Sequence, residues 1–304
     1  MEGSQELKHL VIVGGSFGGL ILLHYISSYF KITVLEKKEH FEWVCMQPKS
    51  MLDKNDFYAD EATVKLKDTF HTHKVFGENA SYIQGLLTEV VDEHTLKFKR
   101  TEGLDDQSQI GGVEEETLNF DLLVIATGAN YIINEDSVED VYGIYSYEKK
   151  KEFLNKYKTQ IDQASSILVV GGGPTGCETA GELLIQYGTS KKIGLIHGQE
   201  KLLTGLPEKA GTLCQENFEK NGVKLHLNTR YDPNSEVAKE YDFVIKCIGT
   251  HTYTPFFDND KFKDCKDHRG RIFVNDHMQV TNVNPLIHPS KQNLSNAKVF
   301  TNIY

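Results

Sequence analysis

The sequence predicts an α/β fold built from two copies of one unit, in which an apolar strand, a glycine loop, a helix and a second strand follow in order. Three observations predict it. Ile167 to Glu182, ILVVGGGPTGCETAGE, carries the pattern most fully. His9 to Glu36 carries it again near the N-terminus. Each copy is followed by an Asp-led apolar strand that closes on glycine, Asp121 to Gly128 and Asp242 to Gly249. Four landmarks recur in the same order, Gly14 with Gly171, Gly19 with Gly176, Glu36 with His197, and Gly128 with Gly249. Such self-similarity carries more weight than either glycine motif alone.

At 304 residues the chain can hold about two domains of roughly 150 residues each. A formal charge of −10 argues against a nucleic-acid or anionic-membrane surface. No stretch reaches the roughly 18 unbroken apolar residues that span a bilayer, and Leu10 to Phe30 is interrupted by glycines, serines and His24. Met1-Glu2-Gly3-Ser4 has neither a basic n-region nor a glycine after Met1, so neither a secretory signal nor N-myristoylation is expected. Five scattered cysteines form no CxxC pair, which reads as a reducing, cytoplasmic setting, with a mitochondrial one as the alternative. No metal site is expected, since the nearest candidate, His71-Thr72-His73, lies in a polar segment.

In the first copy, His9 to Val13 is a buried strand and Gly14-Gly15-Ser16-Phe17-Gly18-Gly19 the loop. Leu20, Leu23 and Ser27 then fall at helical spacing, and Lys31 to Leu35 forms the next strand. Glu36 ends that strand, roughly 20 residues after the loop, where a carboxylate is placed to accept hydrogen bonds from an adenosine ribose, or else is a solvated strand-end group. Ser16 stands where the second glycine belongs, and its Cβ crowds a pyrophosphate. Phe41, Trp43, Cys45 and Met46 read as a loop over something flat and apolar, with core packing the alternative for Phe41 and Trp43. A single cysteine there excludes the two-thiol relay of a disulfide reductase.

Ala80 to Lys99 alternates about Asp92-Glu93-His94 as a hairpin does. Thr101 to Thr117 reads as an exposed loop, Asn119 to Gly128 as one buried strand ending in Ala-Thr-Gly, and Thr127-Gly128 as a place where a cofactor passes close to backbone. Asn130 to Tyr147 reads as a connector and Glu148 to Gln163 as a charged surface helix whose Lys149-Lys150-Lys151 run is solvated.

In the second copy, Gly171, Gly173 and Gly176 allow a tight turn, backbone approach to a diphosphate, and close helix packing. Pro174 suits the first helical turn, whose free N–H groups and positive dipole end favour an anion. Glu178 is expected to face a nicotinamide, or else to act only as an N-terminal carboxylate on the dipole. Lys192 to Ile196 ends at His197, a neutral imidazole that does not repel a 2′-phosphate, or else merely a strand cap. Pro207 to Gly222 is a helix, Val223 to Asn228 a strand, and Cys177 and Cys247 are buried fillers.

On His9 to Gly19, Phe41-Glu42-Trp43, Leu122 to Gly128, Ile167 to Glu182, Leu195 to His197 and Gly270 to Thr281, the chain resembles the two-dinucleotide-binding-domain flavoproteins. Within them it is most similar to the apoptosis-inducing-factor-like branch and its ferroptosis suppressor protein type of NAD(P)H:quinone oxidoreductase. The resemblance implies two Rossmann-like domains, the NAD(P) domain inserted in the FAD domain, with a β-hairpin or meander crossover. It implies residues 1–135 for the first part of the FAD domain, 136–255 for the NAD(P) domain and 256–304 for the return. FAD would be held by Gly14, Ser16, Gly19, Glu36, Thr127 and Gly128, and NAD(P)H by Gly171, Gly173, Gly176, Glu178, His197 and Gly249. Hydride would pass from nicotinamide to flavin and electrons onward to a quinone, so no side-chain acid or base is expected. Family members continue past a strand like Asn302-Ile303-Tyr304 into an Ala-Ile-Gly-Asp motif, so the resemblance implies either a C-terminal portion outside this chain or a shortened protein. Two other readings follow from the same residues: a non-catalytic scaffold or assembly subunit with a protein partner, and a type II NADH dehydrogenase.

Overall fold

The computed structural model describes residues 6–53, 63–72, 78–131, 143–284 and 297–304. The first sheet takes strands β1 (His9–Val13), β2 (Lys31–Glu36), β5 (Ala80–Val90), β6 (Thr95–Arg100), β7 (Glu115–Asn119) and β8 (Leu122–Ile125) in the order β7-β6-β5-β2-β1-β8. Strands β8, β1, β2 and β5 run parallel, and β6 and β7 are antiparallel additions. Helix α1 (Phe17–Ile26) joins β1 to β2. Val11, Ile12, Ile32, Val34 and Leu35 are fully buried, as the apolar runs of a two-sided sheet require.

Between β2 and β5 lie β3 (His40–Glu42), the short helix α2 (Gln47–Ser50), β4 (Thr63–Lys65) and helix α3 (Leu66–Thr72). The chain leaves the first sheet at Ile125, passes β9 (Asn130–Tyr131), and enters helix α4 (Tyr147–Gln163), capped by the Ser146 hydroxyl. The second sheet is wholly parallel, ordered β12 (Lys224–His226), β11 (Lys192–Ile196), β10 (Ser166–Val170), β13 (Phe243–Lys246). Helices α5 (Pro174–Tyr187) and α6 (Glu208–Lys220) make its crossovers. The outgoing and returning chains meet as an antiparallel ribbon of β9 with β14 (Thr250–His251). The last residues then rejoin the first sheet beside β8: Leu123 N–H donates to Asn302 C=O at 2.8 Å and Ile125 N–H to Tyr304 C=O at 2.7 Å. The second sheet is thus inserted between two stretches of chain that belong to the first.

The recurring aspartates have one structural job. The Asp121 carboxylate accepts from His9 N–H at 2.7 Å, and that of Asp242 accepts from Ser165 and Ser166 N–H at 2.9 Å each. Each fixes the first residue of the neighbouring central strand.

Several local expectations are corrected. Thr101 to Thr117 is not all loop: Gln107–Gly112 is a 3-10 turn and β7 begins at Glu115. That strand is polar because it lies at the sheet edge, where Glu116 pairs with Arg100 and Glu115 with Lys97. Asn119 to Gly128 is not one strand, since it breaks where Asp121 turns to hold β1 and β8 ends at Ile125. Val223 to Asn228 shortens to Lys224–His226, and Asn228 takes a left-handed φ of 51°. Helix α4 is not simply a surface helix, for Phe153, Leu154, Tyr157 and Ile161 are buried. Within the lysine run, Lys150 is 1% exposed and meets Glu42 at 2.5 Å, so the run is not a solvated face. The segment after Glu36 is β3, a 3-10 turn and α2 rather than a loop. Residues 132–142, within the expected connector, and His73 lie outside the described residues. Among the described residues no His, Cys, Asp or Glu group is arranged to hold a metal ion, and no helix is long and apolar enough to cross a membrane.

Candidate functional site

The two glycine loops repeat each other in atomic detail. Gly14 and Gly171 take φ of +117° and +114°, and a Cβ at either would lie 2.3 Å from a carbonyl oxygen, that of Ala126 or Cys247. A Cβ at Gly19 would fall 1.9 Å from Gly14 C=O, and one at Gly176 1.8 Å from Gly171 C=O. These four glycines are demanded by the protein's own backbone. Gly173 differs: an added Cβ there meets nothing within 4 Å. It begins α5 as the N-cap, so its open side is the space in front of the helix N-terminus. Ser16 holds the same place before α1 with a similar extended backbone, φ −106° and ψ −156° against −79° and −176° at Gly173, so its Cβ is directed to the corresponding side.

Gly128 and Gly249 also open onto empty space, and both have positive φ, +67° and +107°. Both follow strands that end at the carboxyl edge of their sheets, where open α/β sheets bind ligands.

The ends of β2 and β11 carry the equivalent side chains. Glu36 accepts from Gly15 N–H at 2.7 Å and from Lys38 N–H at 3.0 Å. His197 Nδ1 accepts from Gly172 N–H at 3.1 Å. Burial lowers the His197 pKa, which favours the neutral ring that this bond requires.

Two cavities follow. One of about 70 Å³ is lined by Gly14, Glu36, Thr127 and Gly128, with Tyr253 and Phe256 contributed by the returning chain. The other, of about 630 Å³, lies between the units. Gly171, Gly172, Gly173, Thr175, Glu178, His197 and Gly249 line one side, and Val44, Cys45, Gln47, Pro48 and Met51 the other. The structure therefore gathers nine of the twelve expected residues around two cavities. Gly19 and Gly176 sit in helix packing instead, and Ser16 caps α1.

Sequence reading took Phe41 to Met46 as a loop over something flat and apolar, and missed that the wall runs on to Met51 and what holds it. Glu42 is buried between Lys38 and Lys150, which ties β3 to the first turn of α4. Burial works against the Glu42 carboxylate, but the Lys150 and Lys38 ammonium groups outweigh it and hold its pKa well below the usual carboxylate range. Tyr147 N–H donates to Glu39 Oε1 at 2.6 Å beside this pair. A glutamate in a three-residue strand and a lysine more than a hundred positions later give no periodic signal. Trp43 remains about half exposed, packed edge-on against Phe17 at 5.9 Å, so it helps cover the start of α1. Cys177 is buried and Cys247 partly so; desolvation pushes the Cys247 thiol to about 11 and the Cys177 thiol higher still, so neither is a thiolate nucleophile.

The chain belongs to the pyridine nucleotide-disulphide oxidoreductase family, whose family model matches residues 8–286. Among curated proteins it is 29% identical to apoptosis-inducing factor homolog A of Dictyostelium discoideum, over 90% of this chain and 68% of that protein. It is 26% identical to ferroptosis suppressor protein 1 of Xenopus tropicalis, over 91% of this chain and 71% of that one. Among solved structures, reduced CoADR-RHD of Bacillus anthracis superposes with a TM-score of 0.67 at 17% identity, over 91% of this chain and 49% of that one. The last likeness concerns the fold alone, and the chain spans about half the length of that structure.

Proposed function

We propose that the protein is a FAD-dependent NAD(P)H oxidoreductase that passes electrons to a quinone-type acceptor, with FAD at the first glycine loop and NAD(P)H at the second. One observation carries this reading: the large cavity sets the second loop and Glu178 against the Val44 to Met51 wall of the first unit. A nicotinamide held by one loop and a flavin held by the other would meet across such a space. The fit of the residues supports it. Gly173, Gly128 and Gly249 leave open volume where their backbones approach a ligand, and the backbone glycines around them are packed shut.

Flavin, when bound, supplies hydride acceptance and onward electron transfer. The chain's own part is binding and orientation. Glu36, already braced by Gly15 N–H, offers its remaining lone pairs to a ribose diol. The N-terminus of α5 offers unpaired N–H groups and positive dipole to a diphosphate. The apolar side chains Val44, Pro48, Met51 and Ile248 exclude water from the space between the units. No proton donor is required of the protein in the hydride step.

A catalytically silent scaffold is the competing reading, and Ser16 favours it, because a Cβ occupies the side that Gly173 leaves open. Purified protein assayed for NAD(P)H-dependent quinone reduction separates the two. Turnover with a yellow preparation supports the oxidoreductase; a colourless preparation that takes up no FAD supports the scaffold.

A further inference from the structure

The second nucleotide site differs from the first in what it offers an adenosine ribose. His197 Nδ1 accepts from Gly172 N–H, and only an imidazole with its proton on Nε2 can do so. That bond uses the ring's one acceptor lone pair. Nε2 is covered and has no partner among the described residues. Where Glu36 presents a carboxylate to a ribose diol, His197 therefore presents neither charge nor acceptor.

Positive charge gathers beside it. Thr229 N–H donates to His197 C=O at 2.9 Å and Asn228 N–H to Gln199 C=O at 3.0 Å, so the turn after β12 is stitched to the turn after β11. Arg230 follows directly, exposed and without an ion pair among the described residues. Tyr231 comes next, and the Lys246 ammonium stands 5.9 Å over its ring. Lys246 also lines the large cavity. Of the neighbouring acids, Asp232 is turned to its own loop, accepting from Asn234 N–H at 2.9 Å, and Glu200 is exposed in the turn after β11. In a chain of net charge −10, this end of the second sheet holds Arg230, which has no ion pair among the described residues, beside a neutral histidine. A guanidinium fork fits a phosphate bidentately.

We infer that the second site prefers a 2′-phosphorylated nucleotide, NADPH over NADH, with Arg230 the specificity-determining residue that receives the 2′-phosphate and His197 the neutral residue that admits it. The inference rests on the second loop being the NAD(P)H site. Isothermal titration with 2′,5′-ADP and 5′-AMP tests it without flavin or turnover, because the two probes differ only in that phosphate. The wild-type protein is expected to bind 2′,5′-ADP at least about tenfold more tightly than 5′-AMP. Arg230→Ala removes most of that ratio without weakening 5′-AMP, and His197→Glu weakens 2′,5′-ADP while sparing or improving 5′-AMP. Raised salt shrinks the wild-type ratio. Equal wild-type affinities, or an Arg230→Ala loss shared equally by both probes, overturn the preference and leave the nucleotide site standing. Binding of neither probe overturns the nucleotide site itself, and the preference with it.

Discussion

The two glycine loops of this chain have nearly the same backbone and different ligand faces. Their first glycines share a φ near +115° and their third glycines pack against the first within 0.1 Å of one another, at 1.9 and 1.8 Å for an added Cβ. The two copies differ at Phe17 against Pro174 and Gly18 against Thr175, and at two positions beside the cavities. Ser16 replaces the glycine at 173, and Glu36 stands where the second copy has His197. The glycines that the backbone demands are the same in both copies, and residues beside the cavities differ.

Substitutions at the glycines break that comparison most severely. Gly176→Ala drives a Cβ into the Gly171 carbonyl and is expected to destabilise the protein by at least about 3 kcal/mol. Gly173→Ala meets no protein atom, so its melting temperature should stay near wild type while nucleotide affinity falls. Thermal melts with and without nucleotide distinguish the two, and equal destabilisation by both would undo the division between folding and ligand glycines.

Next in size is the buried charge that joins the units. Lys150→Met leaves Glu42 with Lys38 alone, and the expected cost is about 3 kcal/mol, the low end for a broken buried pair. The double variant Glu42→Gln with Lys150→Met should recover part of it, since the stranded carboxylate is then gone. Denaturant midpoints of the three proteins measure this coupling.

Acid acts on the same region. Burial pushes the His40 pKa down from 6.5 to about 3, so between those values the unfolded chain carries a proton there that the folded chain lacks. Stability therefore falls as pH drops through that window, by about 1.4 kcal/mol per pH unit from this group. The depressed Glu42 carboxylate adds to the loss, with the same sign, once pH falls below its ordinary value. Urea midpoints of wild type and His40→Asn between these pH values check it, and the variant should show the shallower slope.

The smallest effect is expected at Ser16. Ser16→Gly removes a Cβ from the ligand side without touching packing, so FAD retention should rise modestly at unchanged melting temperature.

Much of this was legible in the sequence because it is local. The strand-loop-helix order and the positions of Gly14, Gly171 and Glu178 follow from short-range patterning, since one turn of chain fixes each. The recurrence of Asp121 and Asp242 was visible too, although their tethering of β1 and β10 was not. What escaped was non-local. Glu42 and Lys150 meet across more than a hundred residues, and the lysine looked solvated because its neighbours Lys149 and Lys151 carry the same charge. Strand β7 was hidden by its acids, which an edge strand pairs across to Lys97 and Arg100. Arg230 is one exposed residue in a turn, and the bonds from Thr229 to His197 and from Asn228 to Gln199 bring that turn beside the end of β11.

The central claim is that one loop holds a flavin and the other the nicotinamide that reduces it. Anaerobic titration of the FAD-loaded protein with NADPH tests this most directly, read at the flavin's visible band. The account predicts that the band bleaches with about one equivalent of nucleotide and returns on addition of a quinone. A flavin that stays oxidised while 2′,5′-ADP binds the same preparation would contradict it.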